Sequence, residues 1–510
     1  MTATRHVPTS VASRTVLGAT WMIAWRMTTR GLGLISTLVL ARLLVPSDFG
    51  LVAIATTFAA AIDALSELGL RAALVRQPDD DPSLYDTAFT MQVIRGLGTG
   101  AVIAIGAAGA GTWFGDERLT PLLLIFSAVA VVAGFDNIAV VRFQRELRFD
   151  MEFRLLFAPR LLQFVLATGV ALLLHSYWAL VVGVVVGRLT RTAMTYWIQP
   201  YRPRLSLARW RDLAGFSFWS WASSMAGMVW ERSDTFVLGP VLGAGQLGIY
   251  LLSTEIGLLP TSELVGSATS ALYAGVAAAR NRGTDAIVLA VPLMAALLML
   301  VLPVGIGISA TAGYLVIGLL GPAWQVGRPV IAIFALLCLI TPITFVSTTV
   351  LSATGHVRQS FWAIAGATVL RVSALYCVAG THRLDWAALT VCGVVVCEAL
   401  LYLVQLAGRG RLAWREALPG VIRTLAAGSA VAGFLWMSGL GWQEVEGPAL
   451  VTLFIGSIIG LCCILGCAAV QLALWFAAGR PPGPERTVLD IIYDIASKLR
   501  QRPGLEVVIK

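Results

Sequence analysis

Apolar runs long enough to cross a bilayer follow one another along nearly the whole chain, and nothing else in the sequence constrains its fold as strongly. A hydrocarbon core roughly 30 Å thick needs about 20 consecutive apolar residues per helix. Such runs begin at about 16–43 and 48–70. The seventh and eighth lie at about 213–239 and 246–273, and the last, about the fourteenth, at 449–477. With 57% hydrophobic and only 13% charged among 510 residues, no water-soluble core could hide this much apolar surface. In lipid each backbone N–H and C=O must be satisfied within its own segment, so the runs read as α-helices. The expected fold class is an all-α membrane protein of about fourteen transmembrane helices.

The distribution of charge sets an orientation. Basic residues outnumber acidic ones, 37 against 28, and all but Lys498 and Lys510 are arginine. They do not gather into one patch, so nucleic acid is not an expected partner. With an internal N-terminus, the inner segments hold Arg71 and Arg76, Arg142 to Arg154, Arg202 to Arg211, Arg280 and Arg282, Arg358, Arg409 to Arg415 and a basic tail. The outer loops hold only Arg118 and Arg383, with Arg328 at a boundary, a bias of about tenfold. Both termini are therefore expected in the cytoplasm. The longest outer loop, GYLVIGLLGPAWQVG, is about fifteen residues. A membrane glycosyltransferase or polymerase would need a larger outer region to hold its catalytic carboxylates.

No phosphate-binding GxxxxGK[ST] stretch occurs, and His6, His175, His356 and His382 lie in the tail or in loops with no triad or metal-ligand spacing. The seven cysteines sit inside apolar runs and read as packing residues. The chain is thus not expected to be an enzyme or to hold a metal or cofactor. After the last run, RPPGPER breaks the chain, and TVLDIIYDIASKLRQR carries an apolar stripe beside basic residues, as an amphipathic helix on a membrane surface would.

One segment recurs. TLVLARLLVPSDFGLV, beginning at Thr37, lies over TFVLGPVLGAGQLGIY without a gap: Thr37 falls on Thr235, Leu40 on Leu238, Leu44 on Leu242 and Gly50 on Gly248. A fixed offset that keeps the turn glycine predicts one helix-turn-helix unit used twice, the internal duplication on which many secondary transporters are built.

Ionisable residues interrupt the apolar runs, each costing about 2.5–3.5 kcal/mol on insertion scales unless it has a partner, a wet cavity or a role. Arg26 and Arg30 share a face of the first run, and Arg95, Arg160 and Arg371 lie in the third, fifth and eleventh. Guanidinium forks suit phosphate or carboxylate oxygens, so these five form an expected anion-binding set. Each could equally serve as one half of an internal ion pair. Acidic residues in the runs are Asp63 and Glu67 at i, i+4, then Glu231, Asp234, Glu255 and Glu263, with Asp136 and Glu398 further off.

LARLLVPSDFGLVAIA (Leu40 to Gly50 at its centre), followed by LSELGLRAALVR (Glu67 to Arg76), resembles the Wzx-type polysaccharide flippase branch of the multidrug/oligosaccharidyl-lipid/polysaccharide exporter superfamily. Asp234 ahead of TFVLGPVLGAGQLGIY, with Gly239, Gly243, Gly248 and Tyr250, is similar to a second pattern of that branch. The resemblance implies two pseudo-symmetric six-helix lobes in a V, as in MATE transporters, plus two C-terminal helices. On that plan residues 1–199 form the N-lobe, 200–212 a cytoplasmic linker, 213–408 the C-lobe, 409–479 the two added spans and 480–510 a cytoplasmic amphipathic tail. It implies a flippase in a bacterial cytoplasmic membrane that moves undecaprenyl-pyrophosphate-linked oligosaccharide repeat units by alternating access. Its partners would be membrane lipids and the polymerase and glycosyltransferases of the same pathway. Coupling to Na+ or H+ through Asp63, Glu67, Glu231, Asp234 or Glu255 would fit; the residues do not choose among these, nor exclude uncoupled exchange. A cation-coupled multidrug exporter and a peptidoglycan lipid-precursor flippase of the same fold remain the alternative readings.

Overall fold

The structure is a computed structural model, and it describes residues 28–65, 70, 74, 81–146, 148–213, 218–259, 264–265, 287–409, 412–481, 483 and 485–486. Among these residues the secondary structure is helical. The longer helices are α1 (28–43), α2 (Pro46–Leu65), α3 (Pro82–Phe114), α4 (Leu119–Gly134), α5 (Phe149–Leu174), α6 (Trp178–Ile198) and α7 (Phe218–Gly257). There follow α8 (Ala290–Ala310), α9 (Arg328–Ala335), α10 (Thr341–Ala353), α11 (Val357–Ala379), α12 (Leu384–Ala407), α13 (Trp414–Met437) and α14 (Ala449–Ala477). Nine helices among the described residues are long and apolar enough to cross a membrane. The chain is a multi-pass membrane protein.

Two compact units divide the chain, one up to Ile249 and the other from Tyr250. The boundary falls inside α7. Residues 201–207 run without regular structure along the start of α3. That helix starts in a well-formed way: Asp81 caps it by accepting the Ser83 N–H at 2.9 Å, and Pro82 follows where its missing N–H costs nothing. It ends at Gly115, whose φ of 66° needs no Cβ to avoid.

In the first unit α3 and α4 form a hairpin through small residues. A Cβ on Gly96 would lie 2.6 Å from the Gly134 Cα, so the two backbones touch where a larger residue would force them apart. The second unit is organised around α8. Its Val301, Leu302 and Ile306 are buried against Cys338, Tyr402, Cys463 and Cys467, so these three cysteines serve as core packing. The Trp442 N–H donates to Ala310 O at 2.8 Å and its indole N–H to Ser309 Oγ at 3.0 Å, closing the end of α8 with the loop after α13.

The seventh and eighth runs depart from expectation. They are not two helices separated by a loop but the two arms of α7, broken at Gly243 with φ 71° and ψ 169°. Gly243 lies 198 residues after Val45, the offset that joins Thr37 to Thr235, and Val45 lies in the break between α1 and α2. The duplication read from sequence is therefore present in backbone form, as a helix, a short break and a helix in each copy: two residues, 44 and 45, interrupt the first and Gly243 alone the second.

Candidate functional site

The two copies of that unit meet. A Cβ on Gly50 would lie 1.7 Å from the carbonyl oxygen of Ala244, and one on Gly248 would lie 2.1 Å from that of Pro46. Pro46 and Ala244 are themselves equivalent under the 198-residue offset. The contact is thus reciprocal, as a local two-fold relation between duplicate segments demands. The residues in contact, Pro46, Gly50, Ala244 and Gly248, all lie in the first unit. A side chain at either glycine would have to displace backbone, so the repeat's shared glycine marks the place where its copies cross.

A polar cluster forms where α4 ends. Asp136 is 3% exposed and accepts from Arg188 Nη2 at 2.8 Å and from the Thr192 hydroxyl at 2.7 Å, while Arg191 Nε stands 3.8 Å from the same carboxylate. Arg188, Arg191 and Thr192 project from one face of α6 at spacings of three and four. The Asp136 backbone is pinned as well. Gln92 of α3 donates its amide to the carbonyls of Gly134 at 3.1 Å and Asp136 at 2.9 Å, and the Asn137 N–H donates to the Thr195 hydroxyl at 3.1 Å. Arg95, half-buried, follows Gln92 by three residues on α3.

Among the described residues two guanidinium groups approach one carboxylate, and Arg188 and Arg191 keep 21% and 29% of their side-chain surface exposed against 4% for Asp136. The acid is sealed beneath while the guanidinium groups keep an accessible edge, an arrangement suited to meeting an anion's oxygens.

Beside it lies a second cationic group. Arg142 stacks on Tyr85 at 4.7 Å and on Tyr201 at 5.4 Å, and Arg145 donates to the Tyr85 hydroxyl at 2.9 Å. The strap 201–209 is fastened to α3 by Arg204 N–H to Asp86 at 2.8 Å, Ser206 N–H to the Thr90 hydroxyl at 2.8 Å and Arg209 to Asp81 at 2.7 Å. The Tyr201 hydroxyl donates to Asp86, and burial and that carboxylate together push its own ionisation upward.

Of the arginines expected from sequence, Arg30 and Arg160 are exposed and Arg95 is half-buried. Arg371 is 7% exposed, in the second unit, with its field reaching the buried Glu398. Arg26 and Glu67 lie outside the described residues, as do Glu263 and the tail from 487, and Asp63 is described only in its backbone. Glu231 and Glu255 are exposed, whereas Asp234 is buried. The structure brings none of the acidic residues into one metal-ligating group among those described. Sequence reasoning missed Arg188 and Arg191, although GRLTRT interrupts an otherwise apolar run as Arg95 and Arg160 do.

The family model for polysaccharide biosynthesis proteins matches residues 39–329, more than half of the chain. The chain belongs to this family. Its relatives include the succinoglycan biosynthesis transport protein ExoT of Rhizobium meliloti, 26% identical over 64% of this chain and 67% of ExoT. The lipopolysaccharide biosynthesis protein WzxC of Escherichia coli is 24% identical over 65% of this chain and 68% of WzxC. In three dimensions the chain is similar to the lipid II flippase MurJ, with a TM-score of 0.70 at 11% identity over 89% of this chain and 98% of MurJ. At that identity the likeness is one of fold. The polysaccharide biosynthesis match takes in Gly50 and Gly248 of the two repeat copies and the whole Asp136 cluster. Expected as a Wzx-type flippase from two short motifs, the chain is a multi-pass membrane protein of the polysaccharide biosynthesis family with a fold like that of MurJ.

Proposed function

We propose that the protein is a flippase for undecaprenyl-pyrophosphate-linked oligosaccharide repeat units, moving them across a bacterial cytoplasmic membrane by alternating access. The observation that supports this most directly is the gathering of two guanidinium groups, Arg188 and Arg191, on the buried carboxylate of Asp136 in a membrane protein of the polysaccharide biosynthesis family. A pyrophosphate that joins sugar to lipid cannot enter a low-dielectric interior unless fixed positive charge offsets its lost hydration. Arg191 can swing to a phosphate oxygen because the carboxylate holds it at 3.8 Å, while Arg188, at 2.8 Å, stays to neutralise Asp136. Arg95 is assigned with them as a third cation. Arg26, Arg30 and Arg160 are assigned to the cargo's path, and Arg371 to an internal counter-charge for Glu398. Asp63, Glu67, Glu231, Asp234 and Glu255 remain the groups through which H+ or Na+ coupling would act. On this reading both termini are cytoplasmic and the helices form two six-helix lobes with two added spans, fourteen in all.

The test is a deletion strain complemented with variants. Deletion should accumulate lipid-linked repeat units whose sugars face inward, resistant to a glycosidase added outside spheroplasts. Arg191→Gln should restore export at least tenfold less well than wild type at equal protein level, and Arg191→Lys to an intermediate degree. Full export by Arg191→Gln would remove this residue from the path. Outward-facing repeat units in the deletion strain would overturn the function itself.

A further inference from the structure

The strap that follows α6 carries a pattern that the transport reading does not use. Residues 200–212, PYRPRLSLARWRD, hold four arginines against one carboxylate, with two leucines and a tryptophan set between them. A connection that runs through water is expected to be polar. Here Leu205 is 72% exposed, Leu207 48% and Trp210 49%, and Trp197, at the end of α6, is 83% exposed. Arg202, Arg204, Arg209 and Arg211 are exposed beside them.

The backbone under these side chains is held in place. The N–H groups of Arg204, Ser206 and Arg209 donate to Asp86 at 2.8 Å, to the Thr90 hydroxyl at 2.8 Å and to the Thr87 hydroxyl at 3.3 Å. The Tyr201 hydroxyl reaches Pro82 O at 3.0 Å, and Pro203 fixes its own φ between these anchors. Side chains of α3 thus satisfy the strap's polar backbone, while its apolar side chains are left uncovered on an ordered chain. Such a surface gains by meeting a neighbour that takes up leucine and tryptophan as well as guanidinium.

Position along α3 says which neighbour. That helix has 33 residues and is one of the apolar spans. At 1.5 Å per residue it is about 50 Å long, so a hydrocarbon layer of ~30 Å leaves roughly 10 Å of it among head groups at each end. Asp86, Thr87 and Thr90 lie within about 12 Å of its first residue, which sets the strap where hydrocarbon gives way to head groups. Leucine and tryptophan there enter the acyl boundary, and arginines meet lipid phosphates. A second copy of this chain fits worse, because four arginines would face four.

We propose that residues 202–211 form a docking surface for anionic phospholipid of the surrounding bilayer. Leu205, Leu207 and Trp210 insert at the head-group boundary while Arg202, Arg204 and Arg211 engage the phosphates. Arg209, held by Asp81 at 2.7 Å, fastens the strap instead.

The test places the full-length protein in cargo-free nanodiscs of phosphatidylcholine, with or without phosphatidylglycerol. A nitroxide on Leu207→Cys, with Cys377, Cys392, Cys397 and Cys462 replaced by alanine, reports depth by its collisions with oxygen against a water-soluble nickel chelate. The oxygen-to-nickel collision ratio should be at least about threefold higher with phosphatidylglycerol than without. Arg204→Gln with Arg211→Gln should cancel that difference and, since both side chains are exposed, leave the melting temperature unchanged. A label open to the nickel chelate in both lipids would overturn the proposal and leave the surface to a protein partner. Insertion indifferent to phosphatidylglycerol, or to the loss of the two arginines, would overturn it as well. With no cargo present, none of these outcomes bears on the flippase reading, which the deletion strain tests separately.

Discussion

At the scale of single residues, Asp136 is worth most. Removing a buried carboxylate strands its cationic partners, a loss of about 3–5 kcal/mol for a sealed pair and nearer the lower figure here, since Arg188 keeps some solvent. Asp136→Ala should therefore lower the melting temperature of the purified protein sharply. Asp136→Ala with Arg188→Leu should recover much of it, because the only cation then left without Asp136 is Arg191, which stands further off and keeps 29% of its side chain exposed; a double variant no better than the single would refute the pairing. Asp81 makes a different prediction, about pH. The Ser83 hydroxyl and N–H, and after them Arg209, hold its carboxyl below the ordinary range. A folded value below the unfolded one near 3.9 means that this anchor holds at neutral pH and is lost as pH falls through the folded value, below about 4. Hydrogen exchange of a 201–209 peptide, corrected for intrinsic rate, should quicken below pH ~4 in the wild type. In Asp81→Asn it should already be fast at pH 7. These residues were only half legible beforehand. Asp136 stood out as an acid in an apolar run, but its partners lie 52 and 55 positions further on, and no spacing rule links residues on separate helices.

Helices raise a question of fit rather than charge. Gly96 and Gly98 sit two residues apart on α3, yet a Cβ at Gly96 meets the Gly134 backbone at 2.6 Å while one at Gly98 meets nothing within 4 Å. Gly96→Ala should destabilise by about 1–3 kcal/mol as an overpacking change. Gly98→Ala should be neutral or stabilise by up to about 1 kcal/mol through helix propensity. Thermal melts of the two variants check the contrast. Gly50→Ala and Gly248→Ala should each destabilise, and in a double-mutant cycle the pair should cost less than the sum, since either one already parts the same backbones. Strict additivity would mean that the glycines are not in contact. Helix identity and the repeat were readable because apolar periodicity and a gapless offset are local properties of sequence. The bend in α7 was not: PVLGAG carries turn residues that permit a loop as well as a one-residue break, and packing chose the break.

For the molecule as a whole, composition settled the solvent and two motifs pointed to the family, since both depend on many residues at once. The membrane orientation rests on arginine placement, and reporter fusions test it. Alkaline phosphatase joined after Glu446 should be active, and joined after Arg358 it should be silent; the reverse pattern would invert the topology. The hydrogen-bonded group of Arg423, Gln471 and Glu485 had no signature in sequence, because its members come from three separate stretches.

The glycine crossing also bears on how such a chain can change over time. Because each glycine abuts the other copy's backbone, neither copy is free to accumulate bulk there on its own account. The duplicated segments can diverge everywhere else, as Arg42 opposite Pro240 and Asp48 opposite Gln246 show, and still be held to one ancestral residue at the point where they touch.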